Sequence, residues 1–269
     1  MARLGRDGHR RAVLRSRRRP TSRLLAGLLL AASAAVALVG VLPAIGDADS
    51  IVIVTLGGRR GPPPPYRPPA ACAYHDNLAK LTSYDDGLTT LVDTTYMVPK
   101  TYAPKDLDST GVAGGGLIRR MVVPDLRAMA LAAARAAAPI EIVSAYRSYS
   151  NQVATFNHWV AVSGLQAALL GSARPGHSEH QLGLAIDFTS RGGSDPWYYS
   201  DWGKTAAGRW LGANAWRYGF AMSYPKGASP SKTCYEYEPW HFRYVGLAAA
   251  ESIHDSGWTV RQYLWQLQP

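Results

Sequence analysis

The sequence predicts an α+β domain, in which helices flank a small antiparallel sheet, behind an N-terminal transmembrane helix. Three observations lead there. Residues 123–138 and 151–170 are long enough for helices, and the first is rich in alanine and leucine. Residues 140–145, 184–188 and 241–245 are short, apolar-rich runs of the length of strands. Residues 24–45 carry no charge.

Residues 1–23 hold nine arginines and one aspartate, which is +8 of the chain's +10. Only +2 remains for residues 24–269. The basic balance is thus a topology signal and predicts no nucleic-acid partner. The 22 residues from Leu24 to Ile45 reach about 33 Å as a helix, enough to cross a bilayer. Arginines ahead of the span predict a cytoplasmic N-terminus and an extracytoplasmic remainder. The expected location is the cell membrane, single-pass. Ala44 and Gly46 offer a cleavage site that would instead release the protein. The span exceeds the usual apolar core of a signal peptide, about 7–15 residues, so an uncleaved anchor is favoured.

Residues 46–70 read as a linker, with Pro62 to Pro65 consecutive, semi-rigid and extended. Residues 71–269 are long enough for one domain with a substantial core. Pro124 suits the first turn of the helix over 123–138. Pro139 separates it from the strand over 140–145. Residues 151–170 read as one further helix.

Two segments carry the chemistry. In the first, Leu184, Ile186 and Phe188 alternate with Ala185 and Asp187, and Gly183 can turn the chain between His180 and that strand. In the second, residues 241–245 form a strand entered through Pro239, with Trp240 and Phe242 expected to face away from His241. His180, Asp187 and His241 can then converge on one metal. Glu238, three residues before His241, is a spare carboxylate. Three ligands, an open position and a nearby base are what a catalytic zinc site needs. Any one of these residues alone would read as a satisfied polar group; the combination is the signal. His177 stands three before His180, but Pro175 and Gly176 argue for a loop, and it is expected at the pocket rim.

These segments resemble the VanY-type D-alanyl-D-alanine carboxypeptidases, zinc peptidases of the bacterial cell wall. That family's pattern is S-x-H-x-x-G-x-A-x-D followed by E-x-W-H. Ser178, His180, Gly183, Ala185, Asp187, Glu238, Trp240 and His241 meet every fixed position. Residues 144–152 look like the family's S-x-Y-R-S-x-x-x-Q element. Residues 210–220 look like its intervening helix and turn, and residues 91–107 like its opening segment. The resemblance implies one zinc per chain on His180, Asp187 and His241, with Glu238 as catalytic base. It implies that Arg147 stabilises the oxyanion and that Tyr146, Gln152, Ser178 and Trp240 line the substrate site. Arginine chemistry agrees, since a planar fork of donors suits an oxyanion or a terminal carboxylate. The implied substrate is a peptidoglycan stem peptide that loses its C-terminal D-alanine. L,D-carboxypeptidase or endopeptidase action on another stem-peptide bond is the alternative. A non-catalytic wall-binding module is a third reading, opposed by Glu238, because a structural metal needs no base.

Cys72 and Cys234 are the only cysteines. Outside the cytoplasm two cysteines often pair. A bond here would fasten the start of the domain to the loop that carries Glu238. The family commonly has glycine where Cys234 stands, so the resemblance does not supply this bridge.

Overall fold

The computed structural model describes residues 66–81 and 87–268. The proposed span at 24–45 and most of the linker lie outside them. Among the described residues, no helix is long and apolar enough to cross a membrane.

Two short strand pairs open the domain. Strands β1 (Asn77–Leu78) and β2 (Tyr96–Met97) are parallel, and β3 (Leu107–Ser109) and β4 (Leu117–Arg119) are antiparallel. Helix α1 (Val123–Arg135) follows, with Pro124 in its first turn as expected. Its stripe of Leu126, Met129 and Ala133 is fully buried.

The central sheet is antiparallel throughout, in the order β5-β6-β8-β7. Its strands are β5 (Ile140–Ser144), β6 (Ala185–Ser190), β7 (Phe220–Met222) and β8 (His241–Tyr244). Successive side chains on a strand point to opposite faces. Ile142, Ile186, Phe188, Phe220 and Phe242 therefore join α1 in one apolar core, with Phe188 and Phe242 edge to face at 6.0 Å. Asp187, His241 and Arg243 stand on the other face.

The helix expected over 151–170 is two. Helix α2 (Tyr149–Ser163) and helix α3 (Leu165–Gly171) meet at Gly164, whose φ of 82° and ψ of 160° no right-handed helix can contain. Helix α4 (Ala206–Asn214) and the left-handed Gly219 lead into β7, matching the helix and turn anticipated there. A short helix, α5 (Pro230–Thr233), precedes Cys234.

Helices α6 (Leu247–Ser256) and α7 (Val260–Gln266) close the chain around a second apolar cluster with Leu91, Val245 and Ile253. A buried ion pair, Arg261 to Asp93 at 2.7 Å, ties α7 to the opening segment. Residues 66–70, read as the end of the linker, run against α7. Gln262 donates to the Tyr66 hydroxyl at 2.9 Å, and Arg261 donates to the Ala70 carbonyl at 3.0 Å. Cys72 and Cys234 are joined by a disulfide.

Candidate active site

Strand register builds the centre. Asp187 of β6 lies directly opposite His241 of β8 and Ser144 of β5. His180 arrives from a 3₁₀ turn, Glu179–Leu182, capped by the Ser178 hydroxyl, which accepts the His180 backbone N–H at 3.3 Å. Gly183, left-handed at φ 68°, ends that turn and feeds β6. The three side chains are buried, and one ligand atom from each lies within 4.8 Å of the others.

The hydrogen bonds fix which atoms face inward. His180 Nδ1 donates to the Ala145 carbonyl at 2.7 Å, which turns Nε2 toward Asp187 Oδ2 at 3.0 Å. His241 Nε2 lies 2.9 Å from Glu179 Oε2, and its Nδ1 lies 2.9 Å from Asp187 Oδ1. The rings stand 5.0 Å apart and nearly perpendicular. Each imidazole thus has an oxygen partner behind it that orients the ring and leaves one nitrogen for a metal. Two imidazoles and a carboxylate are a zinc donor set, so the residues fit the ion.

Charge is arranged to match. Burial pushes His180 down, keeping it neutral, although Asp187 opposes this. Burial would raise Asp187, but His180 and His241 hold it well below the usual carboxylate range. Burial would also lower His241, yet its hydrogen bonds to Asp187 and Glu179 lift it to about 10. Without a metal, His241 is therefore an imidazolium clasped between two carboxylates.

A cavity of about 860 Å³ opens over this centre. His180, Asp187, His241, Glu238, Arg147, Gln152, Ser178 and Trp240 all line it. Glu238 is half-buried, and burial pushes its carboxyl up to about 8, with His241 opposing and Asp187 adding to the shift. Arg147 follows β5. Its Nη1 donates to Gln152 Oε1 at 2.9 Å, and its Nη2 to Ser144 Oγ at 2.6 Å and Asp187 Oδ2 at 3.4 Å. Gln152 in turn donates to the Ala173 carbonyl at 2.7 Å. Both ends of its amide are engaged, so Gln152 aims the guanidinium.

Other expectations need correction. Tyr146 does not line the cavity; its backbone N–H pairs with the Leu117 carbonyl at 2.8 Å. Trp240 shares the cavity with His241, because residues 238–241 form a turn closed by His241 N–H to the Glu238 carbonyl, and strand alternation starts only at His241. His177 is buried and absent from the cavity wall. It bonds the Asp93 carbonyl at 2.7 Å and Asp76 at 3.1 Å, so it pins the loop before His180 to the opening segment.

Glu179 escaped the sequence reading. It is buried and accepts from Arg243 at 3.0 Å and from the Ser223 hydroxyl at 2.6 Å, besides holding His241. Burial would raise its carboxyl, but Arg243 and His241 hold it at about 2. A signal existed: Arg243 shares a strand face with His241, and a buried cation needs a buried acid.

Comparison with known proteins agrees with this geometry. Residues 116–247 match the family model described as VanY, D-alanyl-D-alanine carboxypeptidase. The Bacillus subtilis protein described as putative carboxypeptidase YodJ is 38% identical over 186 residues, 66% of this chain and 67% of its own length. The chain belongs to the VanY family. These are metallopeptidases, and the cofactor is zinc. The D-alanyl-D-alanine carboxypeptidase of Enterococcus faecalis is 42% identical over 95 residues, 34% of this chain and 31% of that protein. Among solved VanY-like folds, the LdcB LD-carboxypeptidase is 34% identical with a TM-score of 0.61, covering 72% of this chain and 98% of that one. The vancomycin-resistance D,D-pentapeptidase VanY, solved in complex with Zn(II), is 30% identical with a TM-score of 0.56, covering 66% and 99%.

Proposed function

We propose that this domain is a zinc D,D-carboxypeptidase that removes the C-terminal D-alanine from peptidoglycan stem peptides. The observation that carries the reading is one cavity shared by the His180, Asp187 and His241 donors, the Glu238 carboxyl and the Arg147 fork. Zinc on the three donors would supply Lewis acidity and make water a better nucleophile near neutral pH. Glu238 takes a proton from the attacking water and later returns it to the departing amine. Burial raises its affinity for protons, which suits the return step, and the charge of a bound zinc would draw it back toward the ionised form that the first step needs. Arg147, held by Gln152 and Ser144, faces the oxyanion or the terminal carboxylate. Ser178 shapes the turn under the scissile bond, and Trp240 walls the cavity beside it.

L,D-carboxypeptidase action is the second reading, supported by the 34% identity to LdcB against 30% to the D,D-pentapeptidase. The test is incubation of the zinc-loaded domain with defined tri-, tetra- and pentapeptide stems, followed by mass spectrometry. D-Alanine released from the pentapeptide supports the D,D reading. Cleavage of the tetrapeptide alone replaces it with the L,D reading, and intact stems throughout would remove both.

We also propose that residues 24–45 anchor the domain outside the membrane, where the wall polymer lies. The absence of charge over 22 residues supports this. Protease added to intact spheroplasts should release an active fragment; a fully protected domain would reverse the topology.

A further inference from the structure

The cavity is far larger than a terminal dipeptide needs, and its extension has a direction. Gln152, Thr155, Trp159 and Val162 of α2 line it, at the spacing of one helical face. That face leaves the metal centre at Gln152, beside Arg147, and reaches Ser163, which is eleven residues or about 16 Å along the axis. Gln152 is the buried residue of α2, so the rest of this stripe is open to the groove instead of packed in the core. The outer part is walled by indoles. Trp197 stands edge to face with Trp240 at 6.3 Å and with Trp159 at 6.1 Å, so Trp159 and Trp197 form a right-angled aromatic corner. Both are only partly buried, and the adjoining Tyr198 is 76% exposed.

We infer that this outer corner binds the pyranose ring of the amino sugar that carries the stem peptide. The inference rests on the proposed stem-peptide reading and extends it from a peptide to a glycopeptide substrate. Length supports it. Four extended residues between scissile bond and sugar span about 13–14 Å. That places the sugar between Trp159 and Val162, which lie about 10 and 15 Å along α2 from Gln152. Chemistry supports it as well. One face of a pyranose presents only C–H groups, which pack on the electron-rich face of an indole, while its hydroxyls remain free for the indole N–H and water. Polar groups to meet the hydroxyls stand beside the rings, since Thr155, His158, Ser163 and Asp195 line the same end of the cavity.

The test compares a muramyl-pentapeptide with the N-acetylated pentapeptide of the same sequence, using zinc-loaded enzyme. The sugar-bearing substrate should show at least a tenfold higher kcat/KM, carried in KM. Trp159→Ala should erase that advantage and leave the free peptide within about twofold of the parent. Trp159→Phe, which keeps a ring, should restore much of it. Equal kcat/KM for the two substrates, or variants that slow both alike, would overturn the inference while leaving the carboxypeptidase reading intact. If no stem were cleaved at all, that reading would fail, and calorimetric titration with muramyl-tetrapeptide and free tetrapeptide would still decide the sugar site. Tighter binding of the muramyl form, lost in Trp197→Ala, is the expected result; identical binding would refute it.

Discussion

Each of the two imidazoles is oriented from behind, but by partners of unlike character. His180 leans on a neutral carbonyl, whereas His241 leans on the Glu179 carboxylate. A carboxylate behind a ligand raises its basicity and fixes its tautomer. Removing that charge should weaken zinc binding. Glu179→Gln is expected to lose 10–100-fold in zinc affinity by competitive chelator titration; unchanged affinity would assign Glu179 to Arg243 and Ser223. The metal-free His241 also makes a pH prediction. Its protonated form persists to about 10, and metal needs the neutral ring. His180 is already neutral and Asp187 already ionised, so neither adds to the slope. In the Glu238→Gln variant, which removes the carboxyl that titrates near 8, zinc association should therefore release about one proton near pH 7 and strengthen about tenfold per pH unit between pH 7 and 9. Calorimetry in buffers of different ionisation enthalpy reads the proton count. Glu238→Gln should keep zinc but lose roughly 10²–10⁴ in hydrolysis, as expected for a general base. Turnover at the parental rate would require another proton acceptor.

Elements were legible where pattern and punctuation agreed. Helix α1 is framed by Pro124 and Pro139, and β6 and β8 were visible from alternation around Asp187 and His241. The metal donors followed, because the cross-strand register that pairs Asp187 with His241 is what two such strands adopt when one face is apolar. What escaped was tertiary. Gly164 inside an apolar run did not announce a break between α2 and α3. Glu179 looked like a spacer between two motif residues until Arg243 and His241 closed on it from another strand. His177 had the spacing of a ligand but the environment of a strut. The turn at Gly183 offers a test at this scale. A side chain there would be left-handed, and its Cβ would meet Arg119, Leu107 and Pro104 at 3.1 Å each. Gly183→Ala should destabilise the domain by about 1 kcal/mol or more. It should also lower zinc affinity, since His180 hangs on that turn; a variant as stable as the parent would show that the turn is permissive.

At the scale of the whole domain, the described residues are closed by contacts between the opening segment and the last helices. Residues 66–70 lie on α7, Asp93 pairs with Arg261, and Cys72 reaches across 162 residues to Cys234. Cys234 directly follows α5 and sits four residues before Glu238, so the bond fastens the loop that carries the proposed base. Cross-links that close long loops restrict the unfolded chain most, and a native disulfide typically contributes 2–4 kcal/mol. In a domain of this size each kcal/mol moves the melting temperature by about 2–4 °C. Cys72→Ser, paired with Cys234→Ser to leave no free thiol, should therefore melt some 4–16 °C lower. The effect on catalysis should be separable from the effect on stability. Zinc affinity, set by the sheet and the 179–182 turn, should hold within a few-fold well below the melting range. Hydrolysis should fall further than metal loss explains, because Glu238 belongs to the released loop and His241 to the strand. Equal melting curves for the parent and the double variant would show that residues 66–93 are held by α7 and the Asp93–Arg261 pair without help from the disulfide.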